Sequence, residues 1–442
     1  MLHSGRNRVT RLRATVYGCL AIALAGALLA TTSPSRGSGA ARNGTTTLLS
    51  ALRAAGLRPG TQFTAVTAST LTVPEPFEGS DGRIHLAYEL LLTNPTALPV
   101  RISQVQVLDA STRRALLSLT GTALSAEFTP LGAPSGDEGT DDPANPARST
   151  TIPSSATWVV WLDASLPAGG QVPRRLEHRV AGAVVLPGGA APVRFDDVIR
   201  PVDTSRNHAT VLNPPVKGGI WYMSEGCCTR NTHHRRGLAP INGQLSVPQR
   251  FAIDFFMLDS QMRAWAGDPS KVTSYFSYRQ PVIAAAAGTV VDSQDGLPNS
   301  TALPHPPPPP PIDQTVGNHV TVRISPGLYV LYAHFDPGTV KVRIGEKVAR
   351  GQLLGLIGTS GNSTTPHLHF EVMTTPEFFP TDSTPYVFDR FRLLGRVPDR
   401  IWDDNLGLQP TGKLPFAPAN PAVLHRDQLP LDRVVVRFST TH

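Results

Sequence analysis

"TSGNSTTPHLHFEV", Thr359–Val372, sets two histidines one residue apart just after a Gly/Ser/Thr turn. Side chains alternate faces along a β-strand, so residues i and i+2 share a side. Read as a strand, "HLHFEV" sends His367, His369 and Glu371 one way and Leu368, Phe370 and Val372 the other. The apolar face calls for a core, and two neighbouring imidazoles on the other face suit zinc. A solvated strand edge with two unrelated histidines has the same pattern, so the tripeptide must be weighed with its surroundings.

Those surroundings supply further ligand types. "YVLYAHF" places His334 at the end of another alternating run, with Val330 and Tyr332 expected on its side. "QRFAIDFF" puts Asp254 inside an apolar stretch, where an ionised carboxylate is costly unless paired or metal-bound. "NTHHRRGL" adds His233 and His234. A site of two histidines and one carboxylate, with a position left for water, can be assembled from these segments. Glu371 suits either a carboxylate orienting one ring or a solvated edge residue. His319, in "GNHVTV", reads as structural.

The rest of the 442 residues reads as mainly β. With 42 prolines and 38 glycines, long helices are not expected. Residues 1–30 pair four arginines (Arg6, Arg8, Arg11, Arg13) with the apolar run "ATVYGCLAIALAGALLA" and a small-residue exit, the pattern of a secretory signal. That run is at the lower limit of a membrane span, so it also suits an N-terminal membrane anchor. Residues 31–61 read as a low-complexity linker and a short helix. Residues 62–212 carry short strand-like runs such as "RIHLAYELLLTN" and "ATWVVWLDASL", as in an antiparallel β-sandwich. "NPPVKGG" (Asn213–Gly219) marks a boundary, beyond which residues 213–397 continue in strands. "PHPPPPPPI" (Pro304–Ile312) interrupts them as a stiff surface loop. Residues 398–442 form a C-terminal extension whose "DRVVVRF" is strand-like.

Charge narrows the partners. Without the four leader arginines, 36 basic residues face 33 acidic ones, a balance of +3. No basic run is interleaved with aromatics, which argues against nucleic acid as a partner. Beyond Cys19 the only cysteines are Cys227 and Cys228, too few for a disulfide scaffold. The adjacent pair suits a vicinal bridge, free thiols or an accessory metal role.

"VLYAHFDPGTVKVRIGEKVARGQLLGLIGTSGNSTTPHLHFEV", with "PVIAAAAGTVVDS" and "GNHVTVRI" before it, resembles the lysostaphin-type zinc metalloendopeptidases that cut peptide cross-links in peptidoglycan. The resemblance covers about residues 213–388 and implies a compact, mostly antiparallel β metallopeptidase domain. It also implies that His369 and Asp254 bind Zn2+, and that His334 and His367 flank water and the substrate oxygen. The chain departs from the pattern in one place. Most members read His-x-Gly-x-Asp where this chain reads Arg250-Phe-Ala-Ile-Asp254. Either the site is dead, or the first ligand has moved. Relatives with "QRFAID" also resemble this chain in an upstream "N-T-x-x-H-R-R" segment, and Arg235–Arg236 aligns His234 with its histidine. The metal set becomes His234, Asp254 and His369, with His233 an exposed neighbour.

The expectation is an exported zinc-dependent endopeptidase acting on peptidoglycan or another peptide, placed outside the cell, in the periplasm or in the envelope. The alternative is a catalytically inactive module of the same fold that binds cell wall or regulates a hydrolase, and Arg250 motivates it.

Overall fold

Eleven-residue strands with apolar residues on both faces must be covered twice, and Arg83–Thr93 and Thr157–Pro167 are of this kind. They pair antiparallel in full register, Leu86 opposite Ala164 and Leu90 opposite Val160. In the computed structural model, which describes residues 64–133, 149–229, 232–300, 310–398 and 406–440, both faces are covered. The leader, the linker and its helix, residues 134–148 at the acidic stretch "SGDEGTDDPANPARST", residues 301–309 at the proline run, Cys19, His305 and His442 lie outside the described residues.

The fold is mainly β. Arg83–Thr93 and Thr157–Pro167 belong to a five-stranded antiparallel sheet that faces a second one built on Val100–Asp109 and Arg175–Val184. Leu86, Leu90 and Val160 from the first sheet share a core with Val105, Val107 and Val180 from the second. This is a β-sandwich. The first sheet's other face carries Leu91, Val159 and Trp161, which pack with Val247.

A ten-stranded antiparallel sheet carries the histidines. Its central strands run in the order His319–Ser325, Leu328–Ala333, Leu368–Met373, Ile253–Leu258, Ile220–Ser224 and Val434–Arg437. Leu368, Phe370 and Val372 lie in one large core with Phe255, Val330, Tyr332 and Phe388. The Phe370 ring meets Phe255 and Phe388 at centroid distances of 6.0 and 5.8 Å, so the layer beneath the histidines is close-packed aromatic. The chain's last described strand, Val434–Arg437, pairs with Ile220–Ser224. Just before it, Leu429 hydrogen-bonds to the backbone of Glu78 and Ser80 beside the sandwich.

No long helix forms among the described residues: Gly121–Ala126 has six residues and His233–Arg236 four. The second is held at its start by the Thr232 side chain, which accepts from the Arg235 backbone N–H at 3.1 Å.

Arg250 joins the sandwich to the histidine-bearing sheet. Its guanidinium is buried and donates to both oxygens of Glu89, at 2.9 and 2.8 Å, in the middle of Arg83–Thr93. It also donates to the Ser383 carbonyl at 3.1 Å and to Asp382 at 3.3 Å. A two-pronged pair of this kind fixes orientation as well as charge. Removing one member strands the other in low dielectric. Glu89→Leu alone should cost on the order of 3–5 kcal/mol. Glu89→Leu combined with Arg250→Met should recover much of that loss, and urea midpoints of the three variants test it. Equal losses in single and double variants would show that the pair does not couple the two regions.

Candidate metal centre

Strand register brings the cluster together. Ser224, Asp254, His369 and Ala333 lie directly opposite one another across four neighbouring strands. Facing residues in a sheet share a side, so Asp254 and His369 are placed together by backbone pairing alone. His367 precedes the same strand, and its ring reaches the same carboxylate.

His334 arrives differently. Val330 and Tyr332 were expected on its side, but they point into the core with Phe370, whereas Leu331 and Ala333 face the other way. Simple alternation would bury His334 with the core residues. Its backbone instead turns left-handed, φ 69°, just past the end of Leu328–Ala333, and the two-residue period is broken. Its ring then lies 4.8 Å from that of His367 and 5.8 Å from that of His369, centroid to centroid.

Asp254 is the hub. Its Oδ1 lies 3.0 Å from His369 Nδ1 and 3.4 Å from His367 Nε2, and its Oδ2 lies 3.6 Å from His234 Nε2. Hydrogen bonding to carbonyls sets three tautomers, because a carbonyl only accepts. His234 Nδ1 faces the Ala252 oxygen at 3.3 Å, His334 Nδ1 the Ser360 oxygen at 2.7 Å, and His367 Nδ1 the Thr365 oxygen at 2.8 Å. In each ring Nδ1 therefore carries the proton, and Nε2 of the neutral ring carries a lone pair.

For His234 the consequence is direct. Its buried Nε2 has no hydrogen-bond partner, and it confronts a carboxylate oxygen. Two electron-pair donors face each other with no proton between them, an arrangement that a cation would satisfy. Ligand atoms 2.0–2.1 Å from a tetrahedral zinc ion lie roughly 3.3 Å apart, close to the 3.0 Å from Asp254 Oδ1 to His369 and the 3.6 Å from its other oxygen, Oδ2, to His234. The residues present fit such an ion.

Charge distribution follows the same geometry. Burial opposes ionisation of Asp254, yet His367, His234 and His369 hold its carboxyl well below the usual range. Burial keeps His234 and His334 well below the usual imidazole range, with neighbouring histidines adding to the effect. His369 alone goes the other way. Burial would lower it, but hydrogen bonds to Asp254 and Glu371 raise it to about 9.

Glu371 is fully buried and stands 3.5 Å from His369 Nε2, so the solvated-edge reading does not hold. Its carboxyl is pushed up by burial. Were Nδ1 of His369 to hold a metal, its Nε2–H would face Glu371, the kind of carboxylate that fixes a ligating ring's tautomer. His233 is only partly exposed: Glu225 accepts from its backbone N–H at 3.2 Å and meets its Nδ1 at 3.2 Å. One ligand atom each from His233, His234 and Asp254 lie within 4.8 Å of one another, so His233 stands closer to the centre than an exposed neighbour would. His319 is structural, held between the Gly317 carbonyl and Asp292. Arg250 points away to Glu89 and leaves the centre free of its charge.

The orienting carbonyls of Ala252, Ser360 and Thr365 had no signature in the sequence, because any residue supplies a carbonyl. Glu225 had none either, since it acts through a left-handed turn, φ 60°, just before the cysteine pair.

Residues 272–379 match peptidase family M23. That segment contains His334, His367 and His369, while His234 and Asp254 lie upstream of it. The chain is 39% identical to the cell division protein DipM of Caulobacter vibrioides over 62 residues, 14% of this chain and 10% of the relative. It is 39% identical to the peptidoglycan DD-endopeptidase ShyA of Vibrio cholerae over 57 residues, 13% of each. The chain thus spans only 10–13% of the length of these two curated relatives. Among solved structures, the catalytic domain of lysostaphin from Staphylococcus simulans aligns with 33% of this chain and 80% of its own at 23% identity and a TM-score of 0.20. The M23 metalloprotease pseudoalterin aligns with 49% of this chain and 98% of its own at 15% identity and a TM-score of 0.25. The segment that holds the motif around His334, His367 and His369 is thus the part of this chain that is similar to peptidase family M23.

Proposed function

We propose that this chain is an exported zinc-dependent metalloendopeptidase that hydrolyses peptide bonds in peptidoglycan cross-links. The observation that carries the reading is the convergence of His234 Nε2 and His369 Nδ1 on the two oxygens of Asp254, at 3.6 and 3.0 Å. These three residues are the proposed ligands, with Glu371 behind His369. The printed activity of the Vibrio relative supports peptidoglycan as substrate. The N-terminal leader supports export, with residues 62–212 as a β-sandwich module, 213–397 as the metallopeptidase domain and 398–442 as an extension.

A zinc ion held there supplies Lewis acidity toward a carbonyl and toward water. The chain's own part in the reaction falls to His334 and His367. Both rings have Nδ1 committed to a carbonyl, so each presents an Nε2 lone pair ready to take a proton. The low proton affinity of the buried His334 ring keeps it neutral at ordinary pH. After taking a proton from attacking water, either ring becomes a donor to the developing oxyanion or the leaving amine. Carbonyl anchoring at Ser360 and Thr365 holds the rings in place for these steps.

His234→Ala should remove stoichiometric zinc from the purified chain, whereas His233→Ala should retain it. The reverse pattern in elemental analysis would move the ligand to His233, which the 4.8 Å grouping with Asp254 makes the competing choice. His334→Ala and His367→Ala should keep their zinc and lose about 10²–10⁴-fold in turnover of cell-wall peptide. A wild-type chain that carries zinc yet never clears a cell-wall gel would refute the peptidoglycan reading, and one without zinc would make it a non-catalytic module.

A further inference from the structure

A second group of metal-ligating side chains shares no residue with the His369 cluster. One ligand atom each from His85, Asp163 and Cys228 lie within 4.8 Å of one another. All three line a cavity of about 540 Å³, together with Asp81 and Asp432. Cys228 is bonded to Cys227 in a vicinal disulfide, so its sulfur cannot serve as a thiolate in this state.

The His85 ring is already held as a metal-site imidazole would be. Its Nδ1 lies 3.0 Å from both oxygens of Asp163, and its Nε2 lies 3.1 Å from Asp81. Whichever nitrogen turned to a cation, the other would keep a carboxylate behind it, the usual support for a ligating histidine. Phe77 stacks on the ring at 5.4 Å, and the space beside Gly79 is too small for a Cβ, which would fall 2.9 Å from His85 Nε2. Asp432 supplies a separate observation. Its side chain is fully buried beside Thr229 and the Glu225 and Arg433 backbone, with Arg433 Nε at 3.7 Å, and burial pushes its carboxyl up to about 6. Its backbone N–H donates to the Cys227 carbonyl at 2.9 Å, so it is fixed to the cysteine pair. Two aspartates thus flank the imidazole, and a third lines the same cavity.

We propose that His85, Asp163 and Cys228 form a second site for a thiophilic divalent cation such as zinc, open only when the Cys227–Cys228 bridge is reduced. A dithiol reductant breaks the S–S bond, supplies two electrons and two protons, and becomes a disulfide itself; both cysteines end as thiols. The cation then takes Cys228 as a thiolate, and the protons displaced from that sulfur and from His85 pass to solvent. Thiolate, imidazole and carboxylate together are a ligand set that zinc favours. This inference stands apart from the peptidase reading.

The test uses the full chain stripped of metal, either oxidised or reduced with a dithiol and moved anaerobically into reductant-free buffer. Zinc bound per chain is counted, and cobalt(II) is added to a parallel sample as a probe for thiolate charge-transfer absorption. The reduced chain should hold one zinc more than the oxidised chain and show that absorption. Cys227→Ser should take the extra ion without reductant, Cys228→Ser should never take it, and His85→Ala in the Cys227→Ser background should weaken it at least about tenfold. His234→Ala should keep the reduction-dependent ion, which separates this site from the proposed catalytic one. Equal uptake in both redox states, or a gain that survives Cys228→Ser, would overturn the proposal.

Discussion

A single buried carboxylate organises the centre. Asp254 lies within 3.6 Å of imidazole nitrogens from three histidines, two at the start of Leu368–Met373 and one from the short helix His233–Arg236. Burying a carboxylate is expensive, and the cost is recovered only if opposite charge or donors meet it with good geometry. Here the donors are placed by sheet register, which is why the rest of the architecture matters. A one-residue slip between Ile253–Leu258 and Leu368–Met373 would turn His369 to the opposite face and leave Asp254 stranded.

The departure at residue 250 then acquires a physical sense. In this chain the position is occupied by an arginine that pairs with Glu89 in the sandwich instead of facing the histidine cluster. The imidazole nearest Asp254 Oδ2 comes from His234, whose four-residue helix is capped by Thr232 and whose Nδ1 faces the Ala252 carbonyl. A strut between two sheets thus stands where the resembling family carries a histidine, while another segment supplies an imidazole in the same neighbourhood.

The cysteine pair sits close by in sequence and is tied to that segment, since the Cys228 carbonyl accepts from Arg235 at 3.0 Å. The strand Val434–Arg437 lies against Ile220–Ser224 on the other flank, so chain regions remote in sequence frame the same turn. The cluster is therefore held by covalent neighbours, register and long-range pairing together.

Much of this was legible in the residues. Period-two alternation in "HLHFEV" placed His367, His369 and Glu371 on one face, because strand geometry is local, and an aspartate in an apolar run announced that it needed partners. Three things were not legible. The turn of His334 out of the core row depends on a left-handed backbone at a non-glycine residue, which alternation cannot foresee. The tautomers depend on which carbonyls approach each ring, and carbonyls carry no residue label. The use of Arg250 depends on Glu89, 161 residues away, and only the packing of two sheets brings them within hydrogen-bond reach. Local periodicity belongs to the sequence; who meets whom across sheets is decided by tertiary packing, because burial and register act over distances the chain order does not encode.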